Sequence, residues 1–241
     1  MKTPGEIRGL KVAVLIPAAG MSTRMGSASR KPFLLLDGVP ILIHTLRKFV
    51  AIPAVRSIFV ALRPEDISPF RPYLDAEKFP LPVELLEGGK NRQQSVENCL
   101  RRAPSDTDLV AVHDAVRPFV DLAAITRVIE EAARTGAAIL GLPPVDTVKQ
   151  VERTQIRATI PRDLVVLAQT PQVFRYELLR QAYAKATEVG FIGTDEASLV
   201  EHLGAEVSVV LGSDRNIKIT KPSDLDLARL FQAEEKAKAS A

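Results

Sequence analysis

Runs of strand-forming residues alternate with stretches of helical periodicity along the first two-thirds of this chain, and that alternation constrains the fold most. The apolar runs are VAVLI (12–16), VRSIFVAL (55–62), PVELLEG (82–88), DLVAVH (108–113) and AAILGL (137–142). Between them ILIHTLRKFVAI (41–52), NRQQSVENCLRRA (91–103) and DLAAITRVIEEAARTG (121–136) carry apolar residues at helical spacing, the last closed by Gly136 as a C-cap. Strands that are apolar on both faces and joined by helices belong inside a parallel sheet covered on both sides. The expected class is α/β, a mostly parallel twisted sheet with helices on both faces.

The alternation stops between Pro143 and Pro171. DTVKQVERTQIRATIPRDLVVLAQT alternates weakly and is rich in charge, so it reads as a β-ribbon protruding from the main body, which needs a partner to cover it. After it come a helix (RYELLRQAYAKATEVG), a helix capped by Thr194 (TDEASLVEHLG), the strands EVSVVLG and NIKIT, and a helix from Pro222 whose tail EEKAKASA is expected to fray. With no internal repeat or flexible linker, residues 1–241 are expected to form a single domain, with 143–171 as its arm.

Composition excludes several roles. The net charge is +3 with acids and bases intermixed, unlike the concentrated basic face of a nucleic-acid binder. No apolar run approaches the ~18 residues of a membrane span. The opening MKTPGEIRG lacks the apolar stretch of a signal peptide, and the lone Cys99 has no internal disulfide partner, so a reducing cytoplasm is expected. Cys99 sits on a helical stretch and reads as a small buried residue rather than a nucleophile.

The chemistry concentrates just after the first apolar run, in IPAAGMSTRMGSASRKPFLLLDG. Neither the P-loop spacing nor the dinucleotide-binding glycine pattern is present. Small residues nonetheless allow close approach of a ligand, Ser22 and Thr23 offer donors to phosphate oxygens, and Arg24 and Lys31 can flank a phosphoryl group. Pro32 disfavours helix at Lys31, so an extended loop is expected there. Such a loop follows a buried strand at the edge where α/β sheets bind ligands.

These residues carry a resemblance. AAG-(x)3-RM-(x)5-KPF resembles the signature of sugar-nucleotide and cytidylyltransferases. GGKNRQQSV, VHDAVRPF, DTVK, QTPQVF, TDEAS and NIKIT follow in the order of the 2-C-methyl-D-erythritol 4-phosphate cytidylyltransferase family, from about Val12 to Leu230. The resemblance implies a Rossmann-like nucleotidyltransferase fold with a protruding β-arm. It also implies transfer of a cytidylyl group from CTP to the polyol phosphate, with release of pyrophosphate. Arg24, Lys31 and Lys218 would be catalytic. Pro17, Ala18, Ala19, Gly20, Gly88, Gly89, Ser95, Asp114 and Ala115 would bind the nucleotide. Arg117, Thr147, Arg162 and Thr194 would bind the acceptor, with Arg162 supplied by the partner of a homodimer joined through the arm. Mg²⁺ would be held mainly by the CTP phosphates, as Mg²⁺ takes few protein ligands.

Blander readings stand beside these. Lys218, a lone cation in the apolar run IKIT, can be a surface lysine whose stem packs. GGKNRQQS can be a turn and an N-cap, and Asp114–Arg117 a structural pair. Thr194 before Asp-Glu can serve as an N-cap. His113 is expected to be packed rather than catalytic. Lys90 departs from the acid or Thr common in the family, a change without consequence if only main-chain atoms contact the base. Ribitol-5-phosphate cytidylyltransferases share the first loop and a similar arm and are the nearest rival. A non-catalytic nucleotide-binding module is the second, although it would be expected to have lost one of the three cations.

Overall fold

Strand β1 (Val12–Pro17) lies inside a seven-stranded sheet in the computed structural model, which describes residues 9–20 and 31–239. A short hairpin of β2 (Leu35–Leu36) and β3 (Val39–Pro40) leads into α1 (Ile41–Val50), followed by β4 (Val55–Leu62), α2 (Pro64–Glu77) and β5 (Val83–Glu87). Next come α3 (Arg92–Arg102), β6 (Leu109–Val112), α4 (Leu122–Thr135) and β7 (Ala137–Leu142). A ribbon of β8 (Val148–Glu152) and β9 (Gln155–Ile160) precedes β10 (Leu167–Arg175). The chain continues through α5 (Tyr176–Val189), α6 (Glu196–His202), β11 (Ser208–Leu211) and α7 (Pro222–Ala239).

The sheet order is β11-β7-β10-β6-β1-β4-β5, parallel except where β10 runs antiparallel to both of its neighbours. Because side chains alternate along a strand, each strand feeds two cores. Val12, Val14 and Ile16 join α1, α2 and α4 on one face, while Ala13 and Leu15 join α3, α5 and α6 on the other. A third cluster, with Phe119, Ile219 and Phe231, seats α7. The α/β reading with helices on both faces therefore holds. β1 lies between β4 and β6, so the connections leave it in opposite directions and open a crevice at its carboxyl end.

Several local expectations are corrected. Helix α2 has prolines at 64, 69 and 72, which hide it in the sequence; Phe70 and Leu74, one turn apart and buried, outweigh the lost backbone bonds. The sequence reading ends the arm at Pro171, whereas β10 runs through it from Leu167 to Arg175 although proline cannot donate to a ladder. The structure interrupts the β7–β10 register between Ala168 and Gln172, leaving Pro171 without a ladder obligation inside a central strand. Asp195, not Thr194, caps α6: its carboxylate accepts from the Ser198 amide at 3.0 Å, forming a capping box. Lys31–Phe33 is a turn of 3-10 helix rather than extended, compatible with the fixed φ of Pro32. Residues 216–220 are not a strand; a backbone bond from Ile219 N–H to Val116 O, 3.0 Å, ties them to the loop after β6 without a ladder. The final helix does not fray at Glu234, because Arg215–Glu234 (2.6 Å) and Lys48–Glu235 (2.8 Å) fasten it to the body. Gly136 takes the left-handed conformation, φ 99°, that the C-cap reading required.

Candidate active site

The crevice at the carboxyl ends of β1 and β6 holds a cleft of about 240 Å³. Pro17, Ala18, Ala19 and Gly20 line it from β1, Asp114 and Ala115 from β6, Ser95 from α3 and Lys218 from the loop before α7. Eight sequence-assigned residues from four distant segments thus share one cavity. Gly88 borders it: a Cβ there would stand 2.2 Å from that of Ala19, so only glycine lets the two turns meet. Gly89 N–H donates to Ser95 Oγ at 3.0 Å, and that hydroxyl donates to Asn91 O at 2.9 Å. Asn91 caps α3 through the Gln94 amide, at 2.8 Å. The turn and N-cap left open in the sequence are therefore both formed, and they present the Gly88–Gly89 backbone beside the cleft.

Asp114 is the electrostatic centre. It is 7% exposed, and its carboxylate lies 3.0 Å from Lys218 Nζ, 3.1 Å from Arg117 Nε and 3.7 Å from Arg92 Nε. Burial pushes its pKa up, but Lys218, Arg92 and Arg117 together outweigh burial and hold it well below the usual carboxylate range. The structural Asp114–Arg117 pair is the one formed. Arg117 also donates from Nη1 to Asn216 O at 2.6 Å, fixing the loop that carries Lys218.

Arg92 is the site residue that sequence reasoning missed. It reaches Glu196 through two bonds of 2.8 and 2.9 Å, and Tyr183 Oη donates to the same carboxylate at 3.2 Å. Burial alone would lower the guanidinium pKa; Glu196 and Asp114 raise it instead. One signal was available: a cation in the first turn of a helix faces the positive end of the dipole and calls for an acid elsewhere. That acid, Glu196, sits in TDEAS, too far away in sequence for spacing to reveal.

Arg117, Thr147, Arg162 and Thr194 do not line this cleft. The β8–β9 register, Val148 opposite Ile160, leaves Thr147 and Arg162 just beyond the open end of the ribbon, where Arg162 Nη1 donates to Val145 O at 3.1 Å. Thr194 is exposed ahead of α6. Ser22, Thr23 and Arg24 lie outside the described residues, as does the side chain of Lys31. Cys99 is buried, and desolvation pushes its thiol up to about 12, which suits packing rather than attack.

His113 is fully buried, bonded to Arg117 O at 3.0 Å and Thr170 Oγ1 at 3.1 Å. Burial pushes its pKa down from 6.5 to about 4. The unfolded chain therefore binds a proton that the folded chain refuses. Stability from this residue is complete above about pH 6.5 and is lost as pH falls towards about 4, by about 3 kcal/mol in all. Asp114, with its lowered pKa, adds a second loss only below its unfolded value of 3.8. Urea unfolding across this range should show the first slope, and His113→Gln should flatten it; an unchanged slope would refute the assignment to His113.

A sheet that reverses its connections at β1, a loop of small residues there and a carboxylate ringed by cations define an α/β nucleotide-binding protein. The family model for 2-C-methyl-D-erythritol 4-phosphate cytidylyltransferase matches residues 12–234. Proteins of that name from Solibacter usitatus and Acidobacterium capsulatum are 55% and 53% identical; the matches cover 96% and 92% of this chain and 99% and 97% of theirs. A solved structure of that name from Thermus thermophilus superposes with a TM-score of 0.76 at 40% identity, covering 92% of this chain and 98% of the other. The chain belongs to the 2-C-methyl-D-erythritol 4-phosphate cytidylyltransferase family, and so to the nucleotidyltransferases.

Proposed function

We propose that this protein transfers the cytidylyl group of CTP to 2-C-methyl-D-erythritol 4-phosphate. The products are 4-diphosphocytidyl-2-C-methyl-D-erythritol and pyrophosphate, and the reaction belongs to non-mevalonate isoprenoid precursor synthesis. The family match over 12–234 carries this reading, and the cleft supports it by gathering the expected residues at one sheet edge.

The nucleophile is an oxygen of the acceptor phosphate, already anionic near neutral pH, so no general base is needed. It forms a bond to the α-phosphorus while the bond to the β-phosphate oxygen breaks and pyrophosphate leaves with that electron pair. The protein's task is positioning and charge stabilisation. Arg24, Lys31 and Lys218 are assigned to the α-phosphorus. The backbone of Pro17–Gly20 and Gly88–Gly89, with Ser95, Asp114 and Ala115, is assigned to the nucleotide. Thr147, Arg162 and Thr194 are assigned to the acceptor. Arg117 is assigned to the acceptor as well; its Nε donates to Asp114 and its Nη1 to Asn216 O.

Among the described residues no cluster of three or more His, Cys, Asp or Glu side chains is placed to hold a metal. Asp114 is the carboxylate lining the cleft, and its oxygens already face three cations. That donor set fits a Mg²⁺ arriving on the triphosphate, with Asp114 in its surroundings, better than a protein-held ion. Bound there, the ion would neutralise phosphate charge.

Residues 1–241 are read as a single catalytic domain and 143–171 as its dimerisation and substrate arm. A cytoplasmic location accompanies this reading; among the described residues no helix is long and apolar enough to cross a membrane.

Pyrophosphate release from CTP, with Mg²⁺ and each polyol phosphate in turn, tests the assignment. Turnover is expected with methylerythritol phosphate. Faster turnover with ribitol 5-phosphate would move the acceptor to the rival, and none with either would leave a binding module.

A further inference from the structure

Two motifs far apart in sequence, QTPQVF and NIKIT, are joined by side-chain hydrogen bonds. Asn216, 1% exposed, donates from Nδ2 to Gln169 Oε1 at 3.1 Å and to Thr170 O at 2.9 Å, both on β10. Gln169, 8% exposed, donates from Nε2 to Ser213 O at 3.0 Å and accepts from Ser213 N–H at 3.4 Å. Gly212 leaves the room: a Cβ there would stand 2.4 Å from Gln169 Oε1. The segment so gripped has no helix or strand of its own between Gly212 and Lys221, yet Lys218 is two residues beyond Asn216.

The other end of the Lys218–Asp114 contact is set by the same strand. Asp114 N–H donates to Thr170 Oγ1 at 3.1 Å, while Thr170 O receives the Asn216 amide. Thr170 thus fixes the backbone of the anion and, through Asn216, that of the cation. A half-exposed lysine on an irregular loop has many rotamers, and its ion pair with Asp114 forms only where the loop delivers it, so its aim depends on how well that loop is held.

We infer that Gln169 and Asn216 form a buried amide clamp whose role is to position Lys218 over the cleft, making both positioning residues for the transfer step. The inference rests on the reading of Lys218 as a catalytic group. Misplacing such a group by about an ångström costs up to about 100-fold in rate.

The test is a double-mutant cycle with CTP and methylerythritol phosphate as substrates. Asn216→Ala is expected to lower kcat by about 10- to 100-fold with KM for CTP changed by less than about threefold. Added to Lys218→Ala, the same change should cost less than about twofold, since the group it aims is gone. An equal loss in both backgrounds, or no loss in the first, overturns the clamp while leaving Lys218 catalytic. Lys218→Ala with undiminished kcat would overturn the underlying reading, and that result comes from the single variant alone. Circular dichroism establishes folding first. If Asn216→Ala does not fold, Gln169→Leu takes its place in the cycle, and failure of both to fold would show the clamp to be structural, overturning the inference.

Discussion

Lys31→Ala and Arg24→Ala are each expected to lower kcat by about 10²–10³ while raising KM for CTP far less. As the acceptor oxygen closes on the α-phosphorus, the phosphorus becomes five-coordinate and negative charge spreads over its oxygens and the departing pyrophosphate. A cation placed there is worth more in the transition state than in the bound substrate, which is what separates kcat from KM. In sequence both residues fall between two anchored points of the chain. Ala18 N–H donates to Ala61 O at 2.8 Å, and the ring of Phe33 stands edge-on to Phe70 at 5.4 Å. Steady-state kinetics decides the matter. Unchanged kcat with weakened CTP binding would show that the loop only holds nucleotide.

The sheet was legible because burial on both faces writes itself into a strand as an unbroken apolar run, as in VAVLI and VRSIFVAL. β10 was not legible, since QTPQ places buried polar side chains where a central strand is expected to be apolar. Their reasons are distant: Gln169 holds Ser213, Thr170 holds Asp114, and Gln172 holds Asp195 and the start of α6. Each bond joins residues 23 or more apart in sequence. No periodicity records such pairings. For the same reason Arg92 escaped notice, its acid lying 104 residues away. Lys218 stood out as a lone cation, but its strand did not form, because that segment is held by side chains rather than by a ladder. Cavity-lining small residues, by contrast, were readable from their position: Ala18, Ala19 and Gly20 directly follow a buried strand and line the cleft.

Mixing an Arg162→Ala variant with a Lys31→Ala variant, each nearly inactive, is expected to restore about a quarter of wild-type activity. The ribbon that ends near Arg162 has almost no core of its own. Val151 is 59% exposed, Ile156 63% and Leu164 82%, and a two-stranded hairpin is marginal in water. Covering those residues with a second copy of the chain would set Arg162, which does not line its own cleft, against that copy. If Arg162 then completes the partner's site, a mixed dimer has one site with both defects. Its other site combines an intact loop with an intact arm. Random reassortment of equal amounts makes heterodimers about half the population, each with one working site of two, hence a quarter. Sedimentation must first show a dimer, and exchange of differently tagged subunits must show reassortment. A demonstrated heterodimer that stays inactive would assign Arg162 to its own subunit, and the arm would then serve assembly without contributing to catalysis.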